Sequence, residues 1–162
     1  MIKQTESQKV RLEMRDAIEK IVKEKKINRE KCHEVSKCDY QKVINKTYYA
    51  FCDYQKYPTI QLSYLWTRLR ASLRKSEMFH TNWDNWQEYV DKIDNLISDK
   101  NPNLQFYLIV DGGWIYEGEL REIKEVLYEY PGFMEDFYLV SRDYEWLIIH
   151  CDDGACMFKV YK

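Results

Sequence analysis

The sequence predicts an α+β fold in which N-terminal helices pack on a C-terminal antiparallel β-sheet that carries one inserted helix. Apolar residues recur at helical intervals up to about residue 100, and the period then changes to that of strands. All five glycines of the 162-residue chain lie beyond position 111, where hairpins need them. Because no linker or repeat divides the chain, we expect one domain over 1–162, with 1–100 mainly helical and 101–162 forming the sheet.

The first predicted helix begins near Thr5 or Ser7, either of which can cap it. Its buried side is formed by apolar residues at helical spacing, and Lys25-Lys26 suits its C-terminal turn, where cations oppose the helix dipole. These apolar residues are Val10, Met14, Ala17, Ile18 and Ile21. Apolar residues between 43 and 52 indicate a second, short helix without clear bounds.

Two further helices are predicted before residue 100. One covers 62–73, because its apolar residues are spaced i, i+3, i+4, i+7 and i+11. They are Leu62, Leu65, Trp66, Leu69 and Leu73. The other begins near Thr81-Asn82 and ends before the helix-breaking run 99–103. Its buried stripe would comprise Trp86, Val90, Ile93 and Ile97.

Strand periodicity begins at residue 104. The run 104–110 predicts a strand, and 114–116 should return beside it after Asp111-Gly112-Gly113, whose residues tolerate positive φ. A helix over 119–130 follows and is expected to end at Pro131-Gly132. Three more strands are predicted at 137–141, 146–151 and 155–161.

The last hairpin allows a detailed prediction. If Asp153-Gly154 are the central residues of a type I′ turn, Cys151 and Cys156 stand directly opposite each other. Alternation then places one set of side chains on the core face and leaves His150 at the surface. The core-facing set is Leu147, Ile149, Cys151, Cys156, Phe158 and Val160.

The sequence offers little support for catalysis. His150 is adjacent to Cys151, so a strand sends their side chains to opposite faces and separates a base from its nucleophile. The five cysteines form no CxxC pair, and GxSxG, HExxH, Walker A and GxGxxG motifs are absent. We therefore expect no enzyme, no catalytic residue, no cofactor and no metal site.

Charge is distributed unevenly along the chain. Residues 1–75 carry 18 basic and 9 acidic side chains, whereas residues 76–162 carry 7 and 18. Acidic side chains beside aromatic rings suit an interface that steers a basic partner and anchors it. Ordinary solubilising charge is the alternative. The candidate interface residues are Trp114, Glu117, Glu119, Glu122, Glu125, Asp143, Glu145, Trp146, Asp152 and Asp153.

The basic half allows a different interpretation, a nucleic-acid-binding or regulatory module. Its cations alternate with tyrosines on which single-stranded bases could stack. The cations are Lys42, Lys46, Lys56, Arg68, Arg70, Arg74 and Lys75, and the tyrosines are Tyr48, Tyr49, Tyr54, Tyr57 and Tyr64. Charges that flank an apolar helix stripe normally form a solvated face, which is the favoured explanation, and the acidic half would repel a polyanion. Nucleic acid is therefore not the expected partner.

The N-terminus is polar, and the longest apolar stretch is far shorter than the roughly 20 residues of a membrane helix. We expect a cytoplasmic protein without a membrane partner.

Several segments resemble small bacterial proteins. They are Trp83-Asp84-Asn85-Trp86, the runs 106–110 and 137–141, Trp114-Ile115-Tyr116-Glu117-Gly118, and 144–148. The sequence resembles, over roughly 62–160, an uncharacterised bacterial domain family and, in overall make-up, immunity proteins of contact-dependent inhibition and polymorphic toxin systems. That resemblance implies a non-enzymatic cytosolic protein that covers and neutralises a cognate toxin domain, for which a basic nuclease is the expected type. It assigns no individual residue a role.

Overall fold

The computed structural model describes residues 6–81, 83–110, 113–129 and 135–162. The helices are α1 (Glu6–Glu24), α2 (Lys37–Phe51), α3 (Trp86–Asp91), α4 (Ile93–Leu96) and α5 (Leu120–Tyr128), with 3₁₀ turns at Leu65–Arg68 and Trp83–Asn85. The strands are β1 (Cys32–Glu34), β2 (Arg74–Lys75), β3 (Phe79–His80), β4 (Gln105–Val110), β5 (Trp114–Glu119), β6 (Phe137–Ser141), β7 (Trp146–Cys151) and β8 (Cys156–Tyr161).

All strands belong to one antiparallel sheet in the order β1-β5-β4-β6-β7-β8-β2, with β3 also paired to β8. The five long C-terminal strands form its centre. The N-terminal half supplies the short strands at both edges, which the sequence does not predict. Short edge strands limit the number of unpaired backbone groups that a sheet exposes. The α+β class is confirmed, and the two halves share one sheet.

Both faces of the sheet are covered. On one face, α1, α3, α4 and α5 form the first core, with Ile18, Val90 and Ile123 fully buried against Leu108. On the other face, α2 and the segment 52–73 form the second core over the side chains of alternate strand positions. At the centre of the second core lie Tyr48, Phe51, Leu65, Ile109 and Ile149.

The prediction of a single core face is therefore wrong. The six side chains predicted to face the core, of which Leu147 is the first and Val160 the last, do face the second core. The side chains between them that were predicted at the surface, Ile148, His150 and Met157, are buried in or beside the first core. Uninterrupted apolar runs such as 137–140 are typical of strands buried on both sides, and this signal outweighs the alternation.

The predicted helix over 62–73 is also wrong. Only one 3₁₀ turn forms there, after Tyr64, whose φ of 57° lies in the left-handed region. Leu69 is extended and forms a β-bridge with Cys52, so the chain runs back beside the end of α2. Two residues of the predicted apolar stripe, Leu65 and Leu73, are nevertheless buried in the second core. Packing against α2 has overridden the local helical pattern.

The last hairpin has the predicted register and a different turn. Cys151 pairs with Cys156 and His150 with Met157. The amide of Ala155 donates to the carbonyl of Asp152 over 2.9 Å, and Ala155 adopts a φ of 43°. A type I′ turn would need positive φ at Asp153-Gly154 instead, so that prediction is wrong.

The remaining elements agree with their predictions to within a few residues. Helix α5 covers most of the predicted 119–130, and α3 with α4 replaces one continuous helix after residue 81. Thr5, Asp111-Gly112 and Pro131-Gly132, predicted as a cap, a turn and a helix stop, lie outside the described residues.

Candidate functional site

The ten interface residues predicted from sequence do not form one surface. Asp143 and Glu145 belong to the turn before β7, whereas Asp152 and Asp153 belong to the turn after it. A six-residue strand spans about 20 Å. The two pairs of carboxylates therefore lie at opposite ends of the sheet.

Three of the predicted carboxylates form ion pairs within the molecule. Glu117 pairs with Arg142, and Glu119 lies 3.0 Å from the ammonium of Lys31. Their side chains are only 18% and 14% exposed. A more exposed pair joins Glu145 to Lys162 over 3.2 Å. Carboxylates that are already paired with a cation contribute little net attraction for a basic partner.

Glu122 and Glu125 lie on α5, beside a cleft whose rim also carries Lys25, Lys31 and Arg121. Both side chains are half-buried, and the charges around this cleft are of mixed sign. This part of the molecule is therefore not an acidic surface.

The two predicted aromatic anchors are engaged inside the structure. Arg15 and Lys37 lie over the Trp114 ring at 5.7 and 5.9 Å. The ring of Trp146 packs 5.3 Å from that of Phe106 and is approached by Lys159. Both indoles are half-buried, so neither offers a free ring face of the kind that an interface anchor needs.

A different group of acidic side chains is brought together around the β7–β8 turn. The amide of Thr81 donates to the carbonyl of Ala155 over 2.7 Å, which places Thr81, shortly before the 3₁₀ turn Trp83–Asn85, beside the β7–β8 turn. The amide of Asp152 donates to a carboxylate oxygen of Asp136 over 3.0 Å, which places the start of β6 there as well. Three segments distant in sequence thus meet at this end of the sheet.

We call this region the turn-end surface. It comprises the exposed residues Trp83, Asp84, Glu135, Asp152 and Asp153. The segments that build it, 76–91, 135–141 and 150–158, contain no Lys or Arg in the sequence. The charged side chains that these segments contribute are therefore all acidic, and negative charge attracts a basic partner.

The most exposed aromatic side chain among the described residues is Trp83, at 56%. Its ring stacks on that of Trp86, with centroids 5.7 Å apart and planes 5° from parallel. The indole N–H of Trp86 donates to the carbonyl of Leu127 over 2.8 Å. Trp83 is thus an exposed ring supported by an anchored one, and a rigid aromatic side chain loses little entropy on binding.

Trp83 and Asp84 are not among the site residues that the sequence predicts. Trp83 stands three residues before Trp86 and seven before Val90, so its spacing extends the predicted stripe and predicts burial. The exposure of its ring goes with the 3₁₀ turn Trp83–Asn85, which precedes α3 and interrupts the helical register.

The adjacent His150 and Cys151 are buried rather than poised for reaction. Burial lowers the pKa of His150 to about 4 and raises the pKa of Cys151 to about 11. Their side chains lie on opposite faces of the sheet, as predicted.

Within the part of the chain that the structure describes, no three His, Cys, Asp or Glu side chains are grouped to hold a metal ion. Over the same residues, no helix combines the length and apolar character needed to cross a membrane.

The model of a family of unknown function (DUF6756) matches residues 10–162. The chain belongs to this family. The matched region includes both the edge strands from the N-terminal half and the turn-end surface, so the family model spans the whole described sheet. A comparison with curated proteins finds no match. Family membership assigns no activity, and the resemblance to immunity proteins stays a prediction.

Proposed function

We propose that this protein is a cytoplasmic immunity protein that binds and neutralises a basic toxin domain, of nuclease type, through the turn-end surface. The observation that supports the proposal is an exposed, stacked Trp83 among Asp84, Asp152 and Asp153, in segments that carry no cation. The proposal keeps the partner inferred from the sequence and changes the surface that binds it.

Charge and ring contribute at different stages of binding. The exposed carboxylates raise the rate of encounter with a basic partner, because the attraction acts before contact. The exposed indole then supplies most of the affinity if it enters a pocket of the partner, since tryptophan is among the residues most enriched at interface hot spots.

The test uses the purified chain and the toxin domain encoded by the adjacent reading frame. Calorimetry should show binding at submicromolar concentration. Trp83→Ala should weaken it by at least about 30-fold, which corresponds to about 2 kcal/mol. The triple variant Asp84→Asn, Asp152→Asn and Asp153→Asn should chiefly slow association and reduce its dependence on salt.

A matched control neutralises three carboxylates away from this surface, Glu125→Gln, Asp143→Asn and Glu145→Gln. It removes the same charge from residues that the sequence alone had selected, and it should leave affinity nearly unchanged. Equal losses in both triple variants, or unaltered binding by Trp83→Ala, would contradict the assignment of this surface. Absence of binding at micromolar concentration would contradict the function itself.

A further inference from the structure

The charge asymmetry of the sequence becomes, in the fold, an asymmetry between the two faces of the sheet. The segment 37–75, which covers the second core, contains eight Lys or Arg and two Asp or Glu. The segment 83–99, which packs against the first core, contains one Lys and five Asp or Glu. The sheet separates these layers, so the acidic residues do not surround the basic ones.

The cations of the segment 37–75 are not neutralised locally. Among the described residues, none of its eight Lys and Arg side chains lies within 4.0 Å of an Asp or Glu carboxylate, although Arg74 donates to the main-chain oxygen of Lys162 over 2.7 Å. The guanidinium groups of Arg68 and Arg70 donate instead to the carbonyls of Thr59 and Ala50. These two arginines therefore stabilise the fold of the segment 50–70 through its own backbone. The ammonium groups of Lys46 and Lys56 lie over the rings of Tyr144 and Tyr57 at 5.6 and 5.2 Å. These lysines and Lys42 are exposed, so their charges can still attract an external anion.

Exposed lysines and tyrosines are contiguous along α2 and the turn after it. Lys42, Lys46 and Tyr49 follow one side of the helix at i, i+4 and i+7. The ring of Tyr49 meets that of Tyr54 edge-on at 5.4 Å, and these side chains are 52% and 46% exposed. Lys56 follows, also exposed. We call these five residues the basic surface.

We propose that the basic surface binds single-stranded nucleic acid. The ammonium groups of Lys42, Lys46 and Lys56 would pair with phosphates, and the rings of Tyr49 and Tyr54 would stack on bases. Exposed rings beside cations match this ligand because an unpaired strand offers a base face with each phosphate, whereas a duplex keeps its bases stacked inside. RNA and DNA strands share this chemistry. The site is separate from the turn-end surface and does not depend on the proposed function.

The first test is fluorescence anisotropy with labelled single strands of about 12 nucleotides, one of uridine and one of thymidine. Both should bind the full chain at micromolar concentration. Three phosphate contacts predict a slope of about −2 for log K against log salt, which weakens binding about 20-fold between about 50 and 200 mM. A duplex of the same length should bind more weakly than either strand.

Variants divide the electrostatic from the stacking contribution. Lys42→Gln with Lys46→Gln and Lys56→Gln should bring the salt slope close to zero. Tyr49→Ala with Tyr54→Ala should weaken binding at least about 10-fold at an unchanged slope, while the corresponding Phe substitutions keep the affinity. All five side chains are exposed, so circular dichroism and unfolding should match the wild type.

The charge control is Lys20→Gln with Lys23→Gln and Lys26→Gln, which removes three exposed lysines from α1 and the turn after it. This variant should keep the wild-type slope of log K against log salt, and its affinity should still depend on the rings of Tyr49 and Tyr54. Equal losses in the two lysine triples, tighter binding of the duplex, salt-independent binding, or no binding at micromolar protein would each overturn the proposal.

Discussion

The hydroxyl group of Tyr89 lies 2.7 Å from Nδ1 of His150, across 61 positions of sequence. Both side chains are buried, at 4% and 1% exposure. The imidazole also stacks on the ring of Phe137 at 4.8 Å and meets Trp86 edge-on. This hydrogen bond ties α3 to β7 and satisfies a polar ring that would otherwise be costly to bury. Trp86, the ring on which Trp83 stacks, thus packs directly on the hydrogen-bonded imidazole.

The burial of His150 makes stability depend on pH. Its folded pKa is about 4, against 6.5 for the free side chain, so between these values the unfolded chain binds a proton that the folded protein does not. The free energy of unfolding therefore falls as pH drops from about 6.5 to about 4, by about 3 kcal/mol from this group. Urea denaturation at several pH values should show the loss, and His150→Phe should lack this part of it.

The exposed His80 provides the control for that experiment. His80→Gln should keep the full pH dependence, because it leaves the buried environment of His150 unchanged. If His150→Phe and the wild type lose stability in parallel below pH 6.5, the assignment to His150 is wrong.

Removal of the Tyr89 hydroxyl should leave Nδ1 of His150 without its partner. We expect Tyr89→Phe to lower the free energy of unfolding by about 1–3 kcal/mol, since the cost is that of an unsatisfied buried polar atom. The double variant Tyr89→Phe with His150→Phe should lose less than the sum of the two single losses. Strict additivity in this double-mutant cycle would show that the hydrogen bond contributes nothing.

The central strands and the last hairpin could be predicted because their signals are local. Alternation and turn residues lie within a few positions of each other, so Cys151 could be paired with Cys156 from sequence. The edge strand β1 could not, because Cys32, His33 and Glu34 carry no strand pattern of their own. They become a strand only by pairing with β5, more than 80 residues away.

Two of the candidate interface residues predicted from the sequence, Asp152 and Asp153, lie on the turn-end surface. Glu119 belongs to the same predicted set, but its neutralisation by Lys31 depends on β1 docking beside β5. Which carboxylates remain exposed is decided by contacts between the two halves, and sequence spacing does not show these.

The docking of β1 beside β5 predicts that a side chain added at Gly118 lowers the stability of the fold. A Cβ added there would lie 2.6 Å from the carbonyl oxygen of Lys31 and 3.0 Å from the Cα of Cys32. Backbone atoms cannot move aside without breaking the β1–β5 pairing. We expect Gly118→Ala to cost about 1–3 kcal/mol and to speed hydrogen exchange at the amides of β1.

Gly154 offers the matched comparison, because a Cβ there meets only the sulfur of Cys156, at 3.2 Å. Gly154→Ala in this exposed turn should cost less than about 1 kcal/mol and leave β1 protected from exchange. An undisturbed β1 in Gly118→Ala would show that the glycine is not required for the close approach.

The reactivity of the thiols should separate one cysteine from the other four. Cys38 is exposed in the first turn of α2, whereas the remaining four are buried, and all five are free. Burial raises the pKa of Cys32 and Cys52 to about 12 and that of Cys151 to about 11, so almost no thiolate forms there near neutral pH. Because the thiolate is the reacting species, a disulfide reagent should titrate one thiol quickly in the folded protein and all five in denaturant. Cys38→Ser should abolish the fast reaction, and a second fast equivalent in that variant would show that a buried thiol becomes accessible in solution.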